Sequence, residues 1–507
     1  MAAIDAEQLT GSAFRVRRMR RAGSFVALGG LLASGGALAA APVYAAEPSD
    51  CVDDGTANDN TLTAPADDNA DIQALLDDGA PLICLNGTFD ISSTLLVDQE
   101  VTFASFTGAV LDGGGVTQIV NSDSSENVIF EGMTLQNGSA FDGGAVSAYA
   151  VVAINSVFRD NVADIGGAVS AYGLATIDSW FVGNEAETDF GGAVLAEVVF
   201  GEGSTFDSNI SAGSGGAILA YEVVQLETST FLDNEADDLG GAIQAYDYVD
   251  ITNSTFVGNT AGVIGGAIEA PEGRVTFSTF VNNEAFGDEG PGEETGDSIA
   301  SEFGMEVRGN IFASTTSTNH LYTGDAFVDL AGNLFTTTEA QEIDNLPDPD
   351  ESTLFGLTMA QIFGSSTPSA ADNGGPSETV ALVSGSPAID AVPPLEPSPS
   401  PSVTFLSEPT DSDPADDRWS DIDTSSAEIP VLEPADLEVE TDQRGEERQG
   451  RSDAGAFEFG EAEVGSELAA TGADTAASSL LGGLAALMLG IGASFAIGTR
   501  RLSRTDG

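Results

Sequence analysis

Apolar positions between residues 143 and 283 fall in short alternating or β-branched runs and hold no 3.6-residue period long enough for paired helices. Pieces such as "GGAIQAY" and "YVDITNSTF" are punctuated by Gly, Asn or Asn-Glu-Ala. Alternation over a few residues between turn formers predicts strands. The pieces also recur. Gly-Gly-Ala begins at Gly143, Gly166, Gly191, Gly215, Gly240 and Gly265, at intervals of 23, 25, 24, 25 and 25 residues. In a second register, Ser-x-Phe-x-x-Asn supplies Phe158, Phe181, Phe206, Phe231, Phe256 and Phe280, followed by Asn161, Asn184, Asn209, Asn234, Asn259 and Asn283. A fixed period of this size marks a stack in which each unit buries its apolar face against the next. The expected fold is all-β: a single-stranded parallel β-helix of about 24 residues per coil. Successive coils should lie roughly 4.8 Å apart, strand on strand.

Stacking places like over like, so the Phe set is expected to form a continuous core ladder. Each Asn can bond along its turn and across to its counterparts. Gly-Gly permits backbone angles closed to other residues at the corner entering a strand. Phe, Asn and Gly are therefore read as scaffold and not as catalytic apparatus. These units closely resemble the polymorphic outer membrane protein repeat, whose marks are Gly-Gly-Ala-Ile and Phe-x-x-Asn. That resemblance covers residues 143–283 and implies a right-handed β-helix of the kind carried by surface proteins and adhesins. It says much more about fold than about task.

The flanks extend the stack. In "NADIQALLDDGAPLICLNGTFDISSTLLVDQEVTFAS" Ile72, Leu75 and Leu76 share one face of a short helix, and strand-like pieces follow around Ile83, Phe89, Leu95 and Val101. This looks like the entrance of pectate-lyase-like β-helices, where a helix covers the open end of the core, and capping is a physical need because a bare end strand invites aggregation. "RGNIFAS" at 308–314 and "FVDLAGNLFTT" at 327–337 read as degenerate coils. "DNGGPSETVALVSGSPAIDA" at 372–391 and "DQRGEERQGRSDAGAFEFG" at 442–460 are similar to the closing pattern of bacterial surface β-helices with interchangeable, choice-of-anchor C-termini. In that family the two motifs lie closer together. Here an acidic, Pro- and Ser-rich insert, 392–441, separates them and is expected to be disordered.

Both ends read as processing signals. Residues 1–45 carry a basic stretch, an apolar stretch and small residues before a cleavage site, which describes a signal peptide. Segment 46–80 then leads through the capping helix into a β-helix at 81–391, with 442–460 as the closing coil. Segment 461–507 holds a linker, an uncharged span of about 475–497 long enough to cross a bilayer, and terminal Arg500, Arg501 and Arg504 that should stay cytoplasmic. Leu468, Ala469, Ala470, Thr471 and Gly472, followed by that span and basic tail, look like an actinobacterial Leu-Ala-x-Thr-Gly sorting signal. The resemblance implies that a sortase cuts after Thr471 and joins it to cell-wall peptidoglycan, with membrane insertion only transient. The expected location is the cell surface, or the membrane if the chain is not sorted. Cys51 and Cys84 fall in the exported part, where an oxidising compartment favours one disulfide between them.

Charge narrows the partners. The chain has 81 Asp plus Glu against 15 basic residues, a formal net charge of −66, and every basic residue is Arg. Such a surface repels nucleic acid and anionic polymers, so no nucleic-acid partner is expected. Polysaccharide lyases and hydrolases share the fold, and a lyase needs a cationic base near a metal held by Asp. Arg159 and Arg274 are the nearest candidates, though a surface Arg paired with neighbouring carboxylates is the plainer reading. His320 in "STNHLYTG" reads as an exposed turn residue, with no His or Cys nearby to make it a ligand. Acidic residues cluster where coils turn, and Asp233, Asp237 and Asp238 are the weak candidates for Ca²⁺. The spacing does not match the nonapeptide calcium-binding roll, so no cofactor beyond Ca²⁺ is in view and no catalytic set is assigned. The expected function is a monomeric, non-enzymatic surface protein, adhesin-like or in contact with a glycan or surface-protein ligand. The alternatives are a wall-tethered polysaccharide lyase or hydrolase and a structural coat component.

Overall fold

The computed structural model describes residues 51, 61–66, 68–122, 127–287, 295–315, 319–324, 327–337, 346–393, 441–444 and 452–457. The leader, the Leu-Ala-Ala-Thr-Gly motif, the apolar span at 475–497 and nearly all of the insert lie outside them. No described helix is long and apolar enough to cross a membrane.

The chain winds as a parallel β-solenoid of about 11 turns, roughly 24 residues to the coil. Every strand pairs in parallel with its counterpart one coil on. A long sheet stacks Val146–Ile154, Val169–Ile177, Val194–Glu202 and Ile218–Glu227. From the next coil its strand splits in two, as in Ile243–Ala245 and Tyr248–Thr252. A second sheet carries the Phe strands, from Thr88–Asp90 to Leu334–Phe335. A third is made of short pieces such as Glu185–Ala186 and Ile210–Ser211.

Register makes the ladder. Phe158 pairs with Phe181, and the column runs on through Phe206, Phe231, Phe256, Phe280, Phe312 and Phe335. From Phe158 to Phe280 consecutive rings stack nearly parallel at 4.8–4.9 Å. All of these rings are fully buried, and each stacked pair adds roughly 0.5–1.5 kcal/mol beyond the burial of its surface. In the first coils Leu111 and Leu135 hold the same column. There Phe103 and Phe130 fill the core from the opposite sheet.

The polar corners are laddered as well. Asn184, Asn209, Asn234 and Asn259 each donate Nδ2 to the Oδ1 of the next Asn and to a Phe carbonyl of the coil before. A second ladder stands at the turn before each Phe strand. There the Oγ of Ser179, Ser204, Ser254 and Ser278 accepts the backbone N–H of the Ser one coil earlier, and Asn310 and Asn333 take over at the far end. Fully buried polar side chains persist here because every one of these bonds is made within the stack.

Both ends are covered. At the start, the helix Asn69–Asp77 is capped by Asp68 in a capping box with Asp71, and it buries Ile72 and Leu76. Gln73 ties the helix to both backbone groups of Leu96. Cys51 and Cys84 are joined in a disulfide, which fastens the segment before the helix to the strand Leu82–Asn86. At the far end Phe355 stacks on Phe335 at 5.1 Å, and the helix Met359–Phe363 packs beside it in a second apolar cluster with Phe277, Ile311 and Val392.

The segment read as a closing coil does something else. Residues 375–393, 441–444 and 452–457 add no rung; they run as a strap across the outer side of several coils. The strap docks on a column of threonines: Thr230 Oγ1 donates to the Glu378 carbonyl, Thr255 Oγ1 to Gln443 Oε1, and Thr279 Oγ1 accepts from Ala456 N. Buried Gln443 Nε2 also donates to Ser377 Oγ and Thr230 Oγ1. The outward Thr row has the backbone-like donors and acceptors that a non-repeating chain needs, which explains why the strap lies there.

Candidate functional site

The outward side of the long sheet carries the chain's most distinctive surface. Three residues past the inward Ile or Val, the strand turns outward at the Tyr of the sequence Gly-Gly-Ala-x-x-Ala-Tyr. Tyr149 stacks on Tyr172 at 5.1 Å, and Tyr221 on Tyr246 at 5.6 Å. The pairing of Val194 with Val169 and of Ala196 with Ala220 puts Glu197 in the same column between the two tyrosine pairs. Tyr221 and Tyr246 are 39% and 42% exposed, enough for a partner to reach both rings. A bulge falls at this step, between Ala196 and Val198, so that Tyr221 and Glu222 together oppose Glu197. Bulges re-aim side chains and turn up beside functional sites.

Carboxylates surround the column. Burial first, then the charges of Glu197 and Asp189, raises the Tyr221 hydroxyl pKa. Asp189 is itself raised by burial and by Asp238. One coil beyond Tyr246, burial together with the Glu302 charge, opposed by a hydrogen bond from Gln244, pushes the Glu269 carboxyl up to about 7. Burial also raises Asp178, Glu202 and Asp233.

A carboxyl whose folded pKa lies above its unfolded value binds a proton in the native state first. Stability should therefore rise as pH falls through about 7, and the gain should be complete near 4.5, where the unfolded chain also protonates. Melting temperatures at pH 5.5 are expected to exceed those at pH 8, and Glu269→Gln should flatten part of that slope. A melting temperature that peaks at pH 8 would contradict this account.

The other named residues are placed as follows. Arg159 is exposed and gives its Nε and Nη2 to Gln136 Oε1. Gln136 and Asn137 in turn donate to Asp112; burial raises that carboxyl, but these bonds, one from Gly114 and the Arg159 charge together lower it. Arg274 forms an ion pair with Asp250 at 2.6 Å on the long sheet's outer face. Burial lowers its pKa, but Asp250 raises it further. Arg274 stands between Asp250 of the coil before and Glu306 of the coil after. Asp233 sits in the left-handed turn after its Phe strand, and the strand Glu235–Ala236 separates it from Asp237 and Asp238. Among the described residues no group of three or more His, Cys, Asp or Glu side chains is placed to hold a metal ion.

His320 is not the exposed turn residue that the sequence suggests. It is 1% exposed, and burial pushes its imidazole down to about 3. Its Nδ1 lies 3.2 Å from Ser298 Oγ, and its ring tilts between Phe312 and Phe335. The column of corner alanines explains the placement: Ala242 passes its bond to Ala267, Ala267 to Ser298 and Ser298 to His320. His320 fills an alanine position in a coil that has lost its Gly-Gly-Ala.

The chain is a β-helix repeat protein similar to the polymorphic membrane protein repeat. A family model for the Chlamydia polymorphic membrane protein (Chlamydia_PMP) repeat matches residues 203–221, part of one coil, which includes Phe206, Asn209 and the Gly-Gly at Gly215. No curated protein and no solved structure matches the chain.

Proposed function

We propose that the chain is a non-enzymatic cell-surface protein, a right-handed β-helix that presents its outer rows as an adhesin-like contact face for a glycan or surface-protein ligand. One observation carries the reading: the recurring Phe, Asn and corner Gly build the inner ladders, while the long sheet turns a partly exposed column of tyrosines and carboxylates outward, where a partner can reach it. The repeat's resemblance to a membrane-protein family of the cell surface supports the location. The Thr471 motif supports anchorage by a sortase to peptidoglycan, and the acidic surface suits a monomer held away from the wall.

Two measurements test it. Antibody raised against the solenoid should label intact cells, and the full-length chain should release no product from a panel of polysaccharides; release from any polymer would overturn the non-enzymatic reading in favour of a tethered lyase or hydrolase. Thr471→Ala should shift the chain from the wall fraction to the membrane fraction with little left in the wall. Unchanged wall attachment would sink the sortase assignment.

A further inference from the structure

The strap is made of two runs of chain. The first, 375–393, continues from the solenoid's far end. The second, 441–444 and 452–457, is joined covalently to the coils through residues 394–440. Its grip on them is that of a bound peptide. Asp442, Gln443, Ala454 and Ala456 are fully buried, and Asp453 nearly so. Gln443 Nε2 donates to the Ser229 carbonyl, Thr230 Oγ1 and Ser377 Oγ, while its Oε1 accepts from Thr255 Oγ1. Asn253 Nδ2 donates to the Thr441 carbonyl, Gly455 N to the Gly309 carbonyl and Ala456 N to Thr279 Oγ1. Toward the first run, Ala454 N donates to the Ala388 carbonyl, Asp390 N to Asp453 Oδ1, and Val392 and Ser452 exchange both backbone bonds. An ordinary protein–protein interface carries about ten direct hydrogen bonds, and this short run makes a comparable set. The fit is also close: a Cβ on Gly455 would lie 2.6 Å from Thr279 Oγ1 and 2.7 Å from Ile311 Cδ1, and Ala454 belongs to the apolar cluster of Ile311, Leu334 and Val392.

We propose that the outer side of the coils from Ser229 to Ile311 is a peptide-binding groove, filled by the chain's own second run, and that it keeps the C-terminal piece in place when the chain is cut between 394 and 440. Thr230, Thr255 and Thr279 stand in register on successive coils, so the groove offers a hydroxyl at each step of the stack, about 4.8 Å. Its ligand is an extended peptide with one side-chain amide to bury, as in Gln443, followed by small residues, as in Ala454, Gly455 and Ala456, where a larger side chain would strike Thr279 and Ile311. Burial and hydrogen bonding on this scale offset the ordering of so short a run without help from the tether. The groove goes beyond the surface-contact reading and does not depend on it. One consequence does rest on the anchor: with Thr471 joined to the wall, the same hold keeps a cut solenoid on the cell, and Thr471→Ala tests that link separately.

The test uses the full chain with a site for a sequence-specific protease inserted after Arg418 and an affinity tag after Gly507. After complete cutting, capture through the tag should recover the solenoid piece in roughly equal amount with the C-terminal piece, and denaturant should separate them. Excess synthetic peptide of residues 439–459 should displace the tagged piece from the cut parent, a readout that needs no variant. Gln443→Leu should speed release about tenfold or more, and Gly455→Val should do the same by crowding Thr279 and Ile311. Arg159→Gln, at a side chain bonded to Gln136, should leave retention unchanged. Circular dichroism of the uncut chains checks that each variant keeps its strands. Loss of the solenoid piece as soon as the chain is cut would overturn the groove, and so would retention that neither excess peptide nor Gln443→Leu alters.

Discussion

Asn234→Leu is expected to lower the stability of the solenoid by roughly 4 kcal/mol, although leucine is close in size and the site is wholly buried. Asn234 Nδ2 donates to the Phe206 carbonyl at 3.0 Å and to Asn259 Oδ1 at 2.8 Å. Its Oδ1 accepts from Asn209 N at 3.0 Å and from Asn209 Nδ2 at 2.9 Å. Leucine removes all four bonds at once. The Asn209 backbone N–H then has no acceptor and no water to turn to. Each buried group left without its partner costs about 1–3 kcal/mol, and the apolar gain of leucine offsets only part of the sum. Coupling between coils spreads the damage, because each coil is stable chiefly through its neighbours. Urea unfolding should show a lower midpoint, and hydrogen exchange should show lost protection centred on the coils of Asn209 and Asn259. A loss under about 1 kcal/mol would mean that the Asn ladder adds no more than ordinary turn bonding.

The ladders explain why the fold was legible. Phe and Asn recur at one period because each must meet its own kind one coil away, so the spacing in the chain and the geometry in space are the same fact. The capping helix was legible for a similar reason, since Ile72 and Leu76 follow helical spacing before a run of strands. The strap was not legible in this way. Residues 375–393, 441–444 and 452–457 meet the solenoid through single bonds to Thr230, Thr255, Thr279 and Ser229, contacts that leave no period and join positions up to 214 residues apart. His320 was misplaced because its coil has shed Gly-Gly-Ala, and only the alanine column, traced bond by bond, restores the register.

The candidate site was half legible. The letters Gly-Gly-Ala-x-x-Ala-Tyr stand at Tyr149, Tyr172, Tyr221 and Tyr246, while Glu197 replaces Tyr between them and Pro271 replaces it in the last copy. A period argument weights what stays constant, so it drew the eye to Phe and Asn and past a column whose interest lies in its exception. Nor does sequence say which face a Tyr at that offset takes. That follows from Val194 and Ile218 pointing into the core at 0% exposure, which puts the residues after Ala196 and Ala220 at the outward bend.

A contrast between two glycines separates the two physical reasons for Gly in this fold. Gly216→Ala is expected to cost more than about 4 kcal/mol, in the range reserved for a named structural failure. A Cβ there would lie 2.0 Å from the Gly241 carbonyl oxygen and 2.8 Å from Glu235 N and C. All three are backbone atoms, and Gly216 N itself donates to the Gly240 carbonyl. No side chain can swing aside, so the methyl can be housed only by prising one coil from the next, against the strand pairing on either side of the corner. Gly114 has a left-handed φ of 62° but nothing within 4 Å of a built Cβ. Gly114→Ala should therefore cost only the roughly 1 kcal/mol of a non-glycine residue in that conformation. Thermal melts of the two variants should differ severalfold in their loss, with Gly216→Ala failing to give the parent's strand spectrum at 37 °C. Equal, modest losses would mean that the corner glycines serve turn geometry alone and that the coils have slack between them. A large gap means that the second glycine of each pair sets the pitch of the stack, because the oxygen of the next coil occupies the place where any other residue keeps its side chain.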